Sequence, residues 1–140
     1  MKILLPVDGS DYTKRMLGYV AAHEEMFGNT HDYLAVTAVA PIPAHVTRHL
    51  SREIVEGYCR DRAGEVLEPV RAFAAQKGWK LRASHVVGHA AEAIAALADR
   101  EKPDLVVMGS HGHTAFAGLV LGSVATGVLA HCRAPVLIVR

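Results

Sequence analysis

Cysteine is almost missing from this chain. Cys59 and Cys132 lie far apart and form no C-x-x-C pair, which excludes a disulfide framework and a thiolate zinc site. An excess of one charge sign is missing too: 15 Lys plus Arg stand against 14 Asp plus Glu, a formal charge of +1. A chain this near neutrality sets up no long-range field to draw in nucleic acid or anionic lipid, so neither is an expected partner. No apolar run approaches the roughly 20 residues of a membrane span. The run Ile3 to Val7, straight after Lys2, is too short for the core of a secretion signal and has no cleavage site behind it. The expectation is a reduced, cytoplasmic, soluble protein. Repeats, low-complexity tracts and linkers are absent as well. A length of 140 residues is the common size of one domain, able to bury about two thirds of the surface its unfolded form exposes. A single domain over 1–140 is therefore expected. Histidine, by contrast, is plentiful at nine residues, which opens the question of pH sensitivity.

Short apolar runs at Ile3 to Val7, Tyr33 to Val39, Leu81 to Val87, Leu105 to Met108 and Val136 to Val139 read as strands. Their continuous hydrophobicity, clearest in the last two, is the mark of strands buried on both faces of a parallel sheet. Helical patterns lie between them. The first starts at Ser10 or Asp11, carries Met16, Leu17, Val20 and Phe27, and stops at Gly28-Asn29. The second runs from about Ser51 to Lys77 with Ile54, Val55, Tyr58, Cys59, Val66, Val70 and Phe73 as its apolar stripe. Pro69 is expected to kink or interrupt it. A third spans about Ala90 to Glu101 on Ala91, Ile94, Leu97 and Ala98, and a fourth about Ser123 to His131 on Val124, Val128 and Leu129. The irregular stretch Ala40 to Leu50 reads as a loop. Strands and helices therefore alternate, which predicts an α/β fold: an open, doubly wound parallel sheet of five strands between two layers of helices.

In such sheets ligands bind outside the carboxyl ends of the strands, where the winding reverses. If the first strand neighbours the fourth there, Asp8-Gly9-Ser10 and Gly109-Ser110-His111-Gly112 face each other across one crevice. The second of these segments opens the pattern G-x2-G-x9-G-S, formed by Gly109, Gly112, Gly122 and Ser123. Glycines let a backbone approach a phosphate closely or adopt positive φ, and the helix after Gly122 offers free N–H groups to an anion. Ser123 adds a hydroxyl or caps the helix. Tight turns and a helix cap would explain the same residues without a ligand. The pattern is neither G-x-G-x-x-G nor G-x-x-x-x-G-K-[ST], so an ordinary dinucleotide site and a P-loop are excluded.

Several segments together resemble the universal stress protein family. They are Lys2 to Ser10 (KILLPVDGS), Gly88 to Ile94 (GHAAEAI), Asp104 to Gly112 (DLVVMGSHG), Leu121 to Val124 (LGSV) and Ala134 to Val139 (APVLIV). The resemblance spans essentially the whole chain, and its G-x2-G-x9-G-S loop marks the ATP-binding branch of that family. It implies strand order 3-2-1-4-5 in a Rossmann-like sheet of the adenine nucleotide α-hydrolase type, with ATP between the first and fourth strands. Carried over by residue, Pro6, Val7 and Asp8 border the adenosine, with Asp8 near the ribose or a water-linked metal, and Val39 packs on adenine. Gly109, Gly112, Gly122, Ser123 and Val124 hold ribose and phosphates, with Met108, His111 and His113 beside them. The phosphates, with no protein ligand set of their own, bring Mg²⁺ or Mn²⁺. Where many relatives carry Lys or Arg after the second glycine, this chain has His113, so phosphate binding is expected to strengthen as pH falls.

The remaining candidates have plain readings. Asp8 is a common turn-former as well as a candidate carboxylate. His45 with His49, and His111 with His113, lack a third metal ligand and read as loop histidines. Cys132 reads as a small packed hydrophobe, and Glu92 as a charge at a helix start. The apolar edge strand Pro135 to Val139 is suited to pairing with a second copy, and family members commonly dimerise there. No general base or arginine finger is evident, so the expectation is a nucleotide-dependent signalling or regulatory module acting on an unidentified downstream protein. Any ATP hydrolysis would be slow. The alternatives are a nucleotide-free dimeric interaction protein and, on the faint signature Asp8-Gly9-Ser10-Asp11, an enzyme cleaving at the α-phosphate.

Overall fold

A computed structural model describes residues 1–140. In chain order the elements are β1 (Lys2–Pro6), α1 (Asp11–Ala22), α2 (Glu24–Phe27), β2 (Asp32–Val39), α3 (Ala44–Thr47), α4 (Arg52–Gln76), β3 (Lys80–Val87), α5 (Ala90–Glu101), β4 (Leu105–Gly109), α6 (Ser123–His131) and β5 (Val136–Val139). All strand pairs are parallel, in the order β3-β2-β1-β4-β5. This is the three-layer, doubly wound, Rossmann-like sheet expected from the sequence.

The alternation of side chains along each strand divides the core in two. Ile3, Leu5, Tyr33, Ala35 and Val107 face Met16 and Val20 of α1 and Leu67 and Val70 of α4. Leu4, Leu34, Val36, Val106 and Met108 face Ile94 and Leu97 of α5 and Ala125 and Val128 of α6. The central strand is thus apolar at every inner position because both its faces are covered. α5 and α6 approach closely: a Cβ on Gly127 would run into the Cβ of Ala91.

Six details differ from the sequence expectation. The first helix breaks at His23 (φ −112°, ψ 57°), leaving α2 as a separate turn. There the His23 ring lies 4.1 Å from that of Tyr19, and its Nδ1 donates to the Tyr19 carbonyl at 2.8 Å, in competition with the helix ladder. Ala40 to Leu50 contains the short α3. The apolar stripe of α4 is Cys59, Ala63, Leu67, Val70 and Ala74, whereas Ile54 and Tyr58 are 57% and 48% exposed. A helix of 25 residues is about 37 Å long, against about 26 Å for an eight-residue strand, so its first turns overhang the sheet. Pro69 does not interrupt α4; it is exposed, so water can satisfy the Glu65 carbonyl that loses its amide partner. Finally, β5 is half-buried at Val136 to Ile138 because it lies at the edge, and in α6 Ala125 takes the buried place expected of Leu129.

Beside the sheet, Tyr33 stacks on Trp79 with centroids 4.8 Å apart and donates its hydroxyl to the Phe27 and Gly28 carbonyls. Burial pushes its phenol up to about 12.

Replacing Pro69 with Ala restores an i to i−4 hydrogen bond, partly offset by a freer unfolded chain. Pro69→Ala is expected to stabilise the protein by about 1–2 kcal/mol, seen as a higher urea midpoint at unchanged slope. An unchanged midpoint would mean that the helix has already absorbed the proline at no cost.

Candidate functional site

β1 ends at Pro6, opposite Val36, while β2 runs on to Val39 and β4 to Gly109. The last bond between the first two strands is Val7 N–H to the Val36 carbonyl, 2.8 Å. Beyond it the chain after β1 turns into α1 on one face, and the chain after β4 turns towards α6 on the other. A crevice of about 530 Å³ opens between them, within the size range of small-molecule sites.

On the β1 side the turn is set by Gly9, whose φ of +78° suits glycine. Asp8 Oδ1 accepts the Ser10 amide at 2.9 Å and the Thr13 hydroxyl at 3.0 Å, while Thr13 Oγ1 accepts the Asp8 amide at 3.1 Å. One carboxylate oxygen is therefore committed to the turn. Burial by itself raises the Asp8 carboxyl, but the Ser10 hydroxyl and amide, the Thr13 hydroxyl and nearby His113 together outweigh it and hold the carboxyl below its ordinary value. The Ser10 amide and the Thr13 hydroxyl make the hydrogen bonds to this carboxylate, whereas Ser10 Oγ is buried without a partner.

On the β4 side the glycines are demanded by space. None of Gly109, Gly112 and Gly122 has positive φ, contrary to one of the two reasons the sequence offered for them. A Cβ on Gly109 would sit 2.8 Å from the Cβ of Tyr12, and one on Gly112 would run into Asp8 Oδ2. At Gly122 it would lie 3.1 Å from His111 Cα and 3.2 Å from the Ser110 carbonyl, which accepts the Gly122 amide at 2.7 Å. The positive φ in this loop belongs to Gly118, at +91°. The N-cap of α6 is Gly122, so Ser123 is the first helical residue and does not cap; no side chain caps the helix. Ser123 and Val124, in its first turn, line the crevice, so the positive end of the helix dipole lies at this wall. His113 Nε2 donates to the Asp8 carbonyl at 2.7 Å and so joins the two loops at the mouth.

Of the residues singled out in the sequence, Pro6, Val7, Asp8, Met108, Gly109, His111, Gly112, His113, Ser123 and Val124 come together in the wall of this crevice. Two do not. Val39 belongs to the core on the α1 and α4 side, and the wall at the end of β2 is made by Thr37, Ala38 and Ala40. Gly122 stands behind His111, supporting the loop. The sequence reading missed Thr13, Thr114 and Ala125, and it missed Ala90 and Ile94, although both fall in or beside the quoted segment Gly88 to Ile94. Strand parity in β2 was the available signal against Val39. No cluster of three or more His, Cys, Asp or Glu side chains is placed to hold a metal.

Comparison with known proteins agrees with this architecture. The model of the universal stress protein family matches residues 1–140. The chain belongs to that family. A universal stress protein of Thermus aquaticus is 36% identical over 140 residues, covering 99% of this chain and 97% of the relative. The solved structure of MJ0577, a universal stress protein of Methanocaldococcus jannaschii, superposes with a TM-score of 0.82 at 26% identity, over 99% of this chain and 94% of that one. A universal stress protein solved in complex with cAMP has a TM-score of 0.67 at 26% identity, over 100% and 96% of the two chains. Within this family framework, the crevice lies where the sheet's winding reverses.

The lowered Asp8 carboxyl gives a pH signature. Its contribution to stability is fully present above the ordinary carboxylate range near pH 4 and is lost as pH falls through its lower folded value. Asp8→Asn is expected to cost about 1 kcal/mol at pH 7, allowing for solvent screening of a half-exposed group. Denaturant titrations should show the gap from wild type closing towards pH 3; a gap independent of pH would remove the charge from the account.

Proposed function

We propose that the crevice binds an adenine nucleotide, ATP with Mg²⁺ or Mn²⁺ in the first instance, and that the protein is a nucleotide-dependent signalling or regulatory module of the stress response. The observation that carries this reading is the pairing of two kinds of free backbone donor across one cavity. At one end the uncapped N-terminus of α6, beside glycines with no room for a side chain, suits an anion. At the other end the backbone groups of β2 that face β1 alternate along the strand. Val36 uses its carbonyl on Val7, so Ala38, the next residue on that side, meets no strand. Its N–H and C=O form a donor and acceptor edge suited to a heterocyclic base, and Ala90 and Ile94 supply the apolar wall. The cAMP complex of a relative supports the adenine assignment.

The residues suit a metal carried in by the phosphates. The chain offers one nearby carboxylate, Asp8, with one oxygen already in hydrogen bonds, which fits a hard cation that keeps most of its water and phosphate ligands. When bound, the cation would neutralise phosphate charge. His111 and His113 are the basic side chains in the wall, and no lysine or arginine lines the crevice. We read the protein as a binding module with at most slow hydrolysis. Dimerisation through β5 and a cytoplasmic location complete the reading. Pro135 and Val139 turn their carbonyls to β4, so the alternating backbone groups of Val136 and Ile138 face outward.

Calorimetric titration of ATP with Mg²⁺ into stripped protein should give saturable binding, weakened at least about tenfold in Ala38→Phe, which fills the base end. Absence of binding to folded wild-type protein would favour the nucleotide-free dimer. Equal affinities at about pH 6 and pH 8 would deny His113 a charge role. Sedimentation at micromolar concentration should show a dimer that Ile138→Pro converts to a monomer, because it removes an outward N–H; a monomeric wild type would end the β5 proposal.

A further inference from the structure

A second cavity, of about 540 Å³, lies behind the crevice, walled by Tyr12 and Arg15 of α1, by His111, Phe116 and Leu119 of the long loop, and by Arg140. His111 is the one residue that lines both cavities, so it stands between them. Its ring is fixed on both sides. Nε2 donates to the Leu119 carbonyl at 2.9 Å, which leaves Nδ1 to accept the Ser110 hydroxyl at 3.0 Å. Ser110 is 1% exposed, and its amide donates to the Val139 carbonyl at 2.8 Å. The floor of the cavity is therefore tied to β5, and the loop is moored to the floor at Leu119.

Two features of this wall have no use within the fold. Arg15 and Arg140 are exposed cations, and neither belongs to any of the protein's ion pairs. Arg15 is nevertheless held in place: its guanidinium lies 4.9 Å from the Tyr12 ring centroid, and Tyr12 lies 5.1 Å from the His111 ring. A guanidinium stacked in this way loses less freedom when it meets a carboxylate, sulfonate or phosphate. Beside it Phe116 and Leu119 are 70% and 55% exposed in this chain. An oriented, unpaired cation next to uncovered apolar side chains in a concave wall is complementary to a molecule with an anionic group and an apolar body.

We propose that this cavity is a second ligand site, separate from the crevice, for a small organic anion with an aromatic or branched aliphatic body. The anionic group lies on Arg15 and Arg140, and the body lies against Phe116 and Leu119.

Anilinonaphthalene sulfonate, an aryl sulfonate that fluoresces in apolar surroundings, tests this with no reference to nucleotide. It is titrated into wild-type protein, Ala38→Phe, the double variant Arg15→Gln with Arg140→Gln, and Phe116→Ser. The altered residues of the second cavity are exposed, and unchanged far-ultraviolet circular dichroism checks that the variants fold. Saturable binding of one probe per chain is expected in wild type and in Ala38→Phe, weaker by at least about tenfold in the arginine and Phe116 variants. Uncharged phenylnaphthylamine should bind at least about tenfold more weakly than the sulfonate. Loss of the probe in Ala38→Phe would place it in the crevice and overturn the proposal. So would undiminished binding in the arginine variant, which would mean apolar adsorption only.

Discussion

The site depends on the divergence of two neighbouring strands. β1 and β4 are paired only at Ile3 with Leu105 and Leu4 with Val106, and the chain leaving each goes to the opposite face of the sheet. Right-handed crossovers impose this wherever a parallel sheet is wound outward from its middle. Above Leu4 the two backbones separate, and the space between them cannot be filled by another ladder. The crevice is what remains, and loops from both strands must then be shaped to stand close without closing it.

That closeness explains the composition of the walls better than backbone conformation does. Gly109 makes room for Tyr12, Gly112 for Asp8, and Gly122 for the backbone of Ser110 and His111. Each glycine is fixed by an atom of another segment, so the three form a set that works only in this fold. Asp8 has a double part: it organises its own turn through Ser10 and Thr13, and it presents its second oxygen to Gly112. A residue can thus be both a turn-former and a wall of the site, and the choice between these readings dissolves.

His111 gives the long loop its place. Because its ring bonds both Ser110 and Leu119, the loop is drawn against the end of the sheet, and the space there is split into two compartments of similar volume. The apolar residues of this loop, Phe116, Leu119 and Val120, remain at the surface. The side chains of the edge strand β5 pack on both faces of the sheet, while its outer backbone edge is open.

The sequence by itself determined the alternation of strands and helices, because buried parallel strands must be apolar on both faces and the helices between them on one. It also determined the pair of loops that make the crevice, since Asp8-Gly9-Ser10 and the G-x2-G-x9-G-S pattern follow β1 and β4 directly. What only the tertiary structure decided depends on distances between segments far apart in the chain. The parity of β2 turned Val39 into one core and left Ala38 at the crevice; the overhang of α4 exposed Ile54 and Tyr58; and Asp8, not a φ angle, required glycine at position 112. Local pattern records which face a residue prefers, but the space beside it is set by whatever the fold brings there.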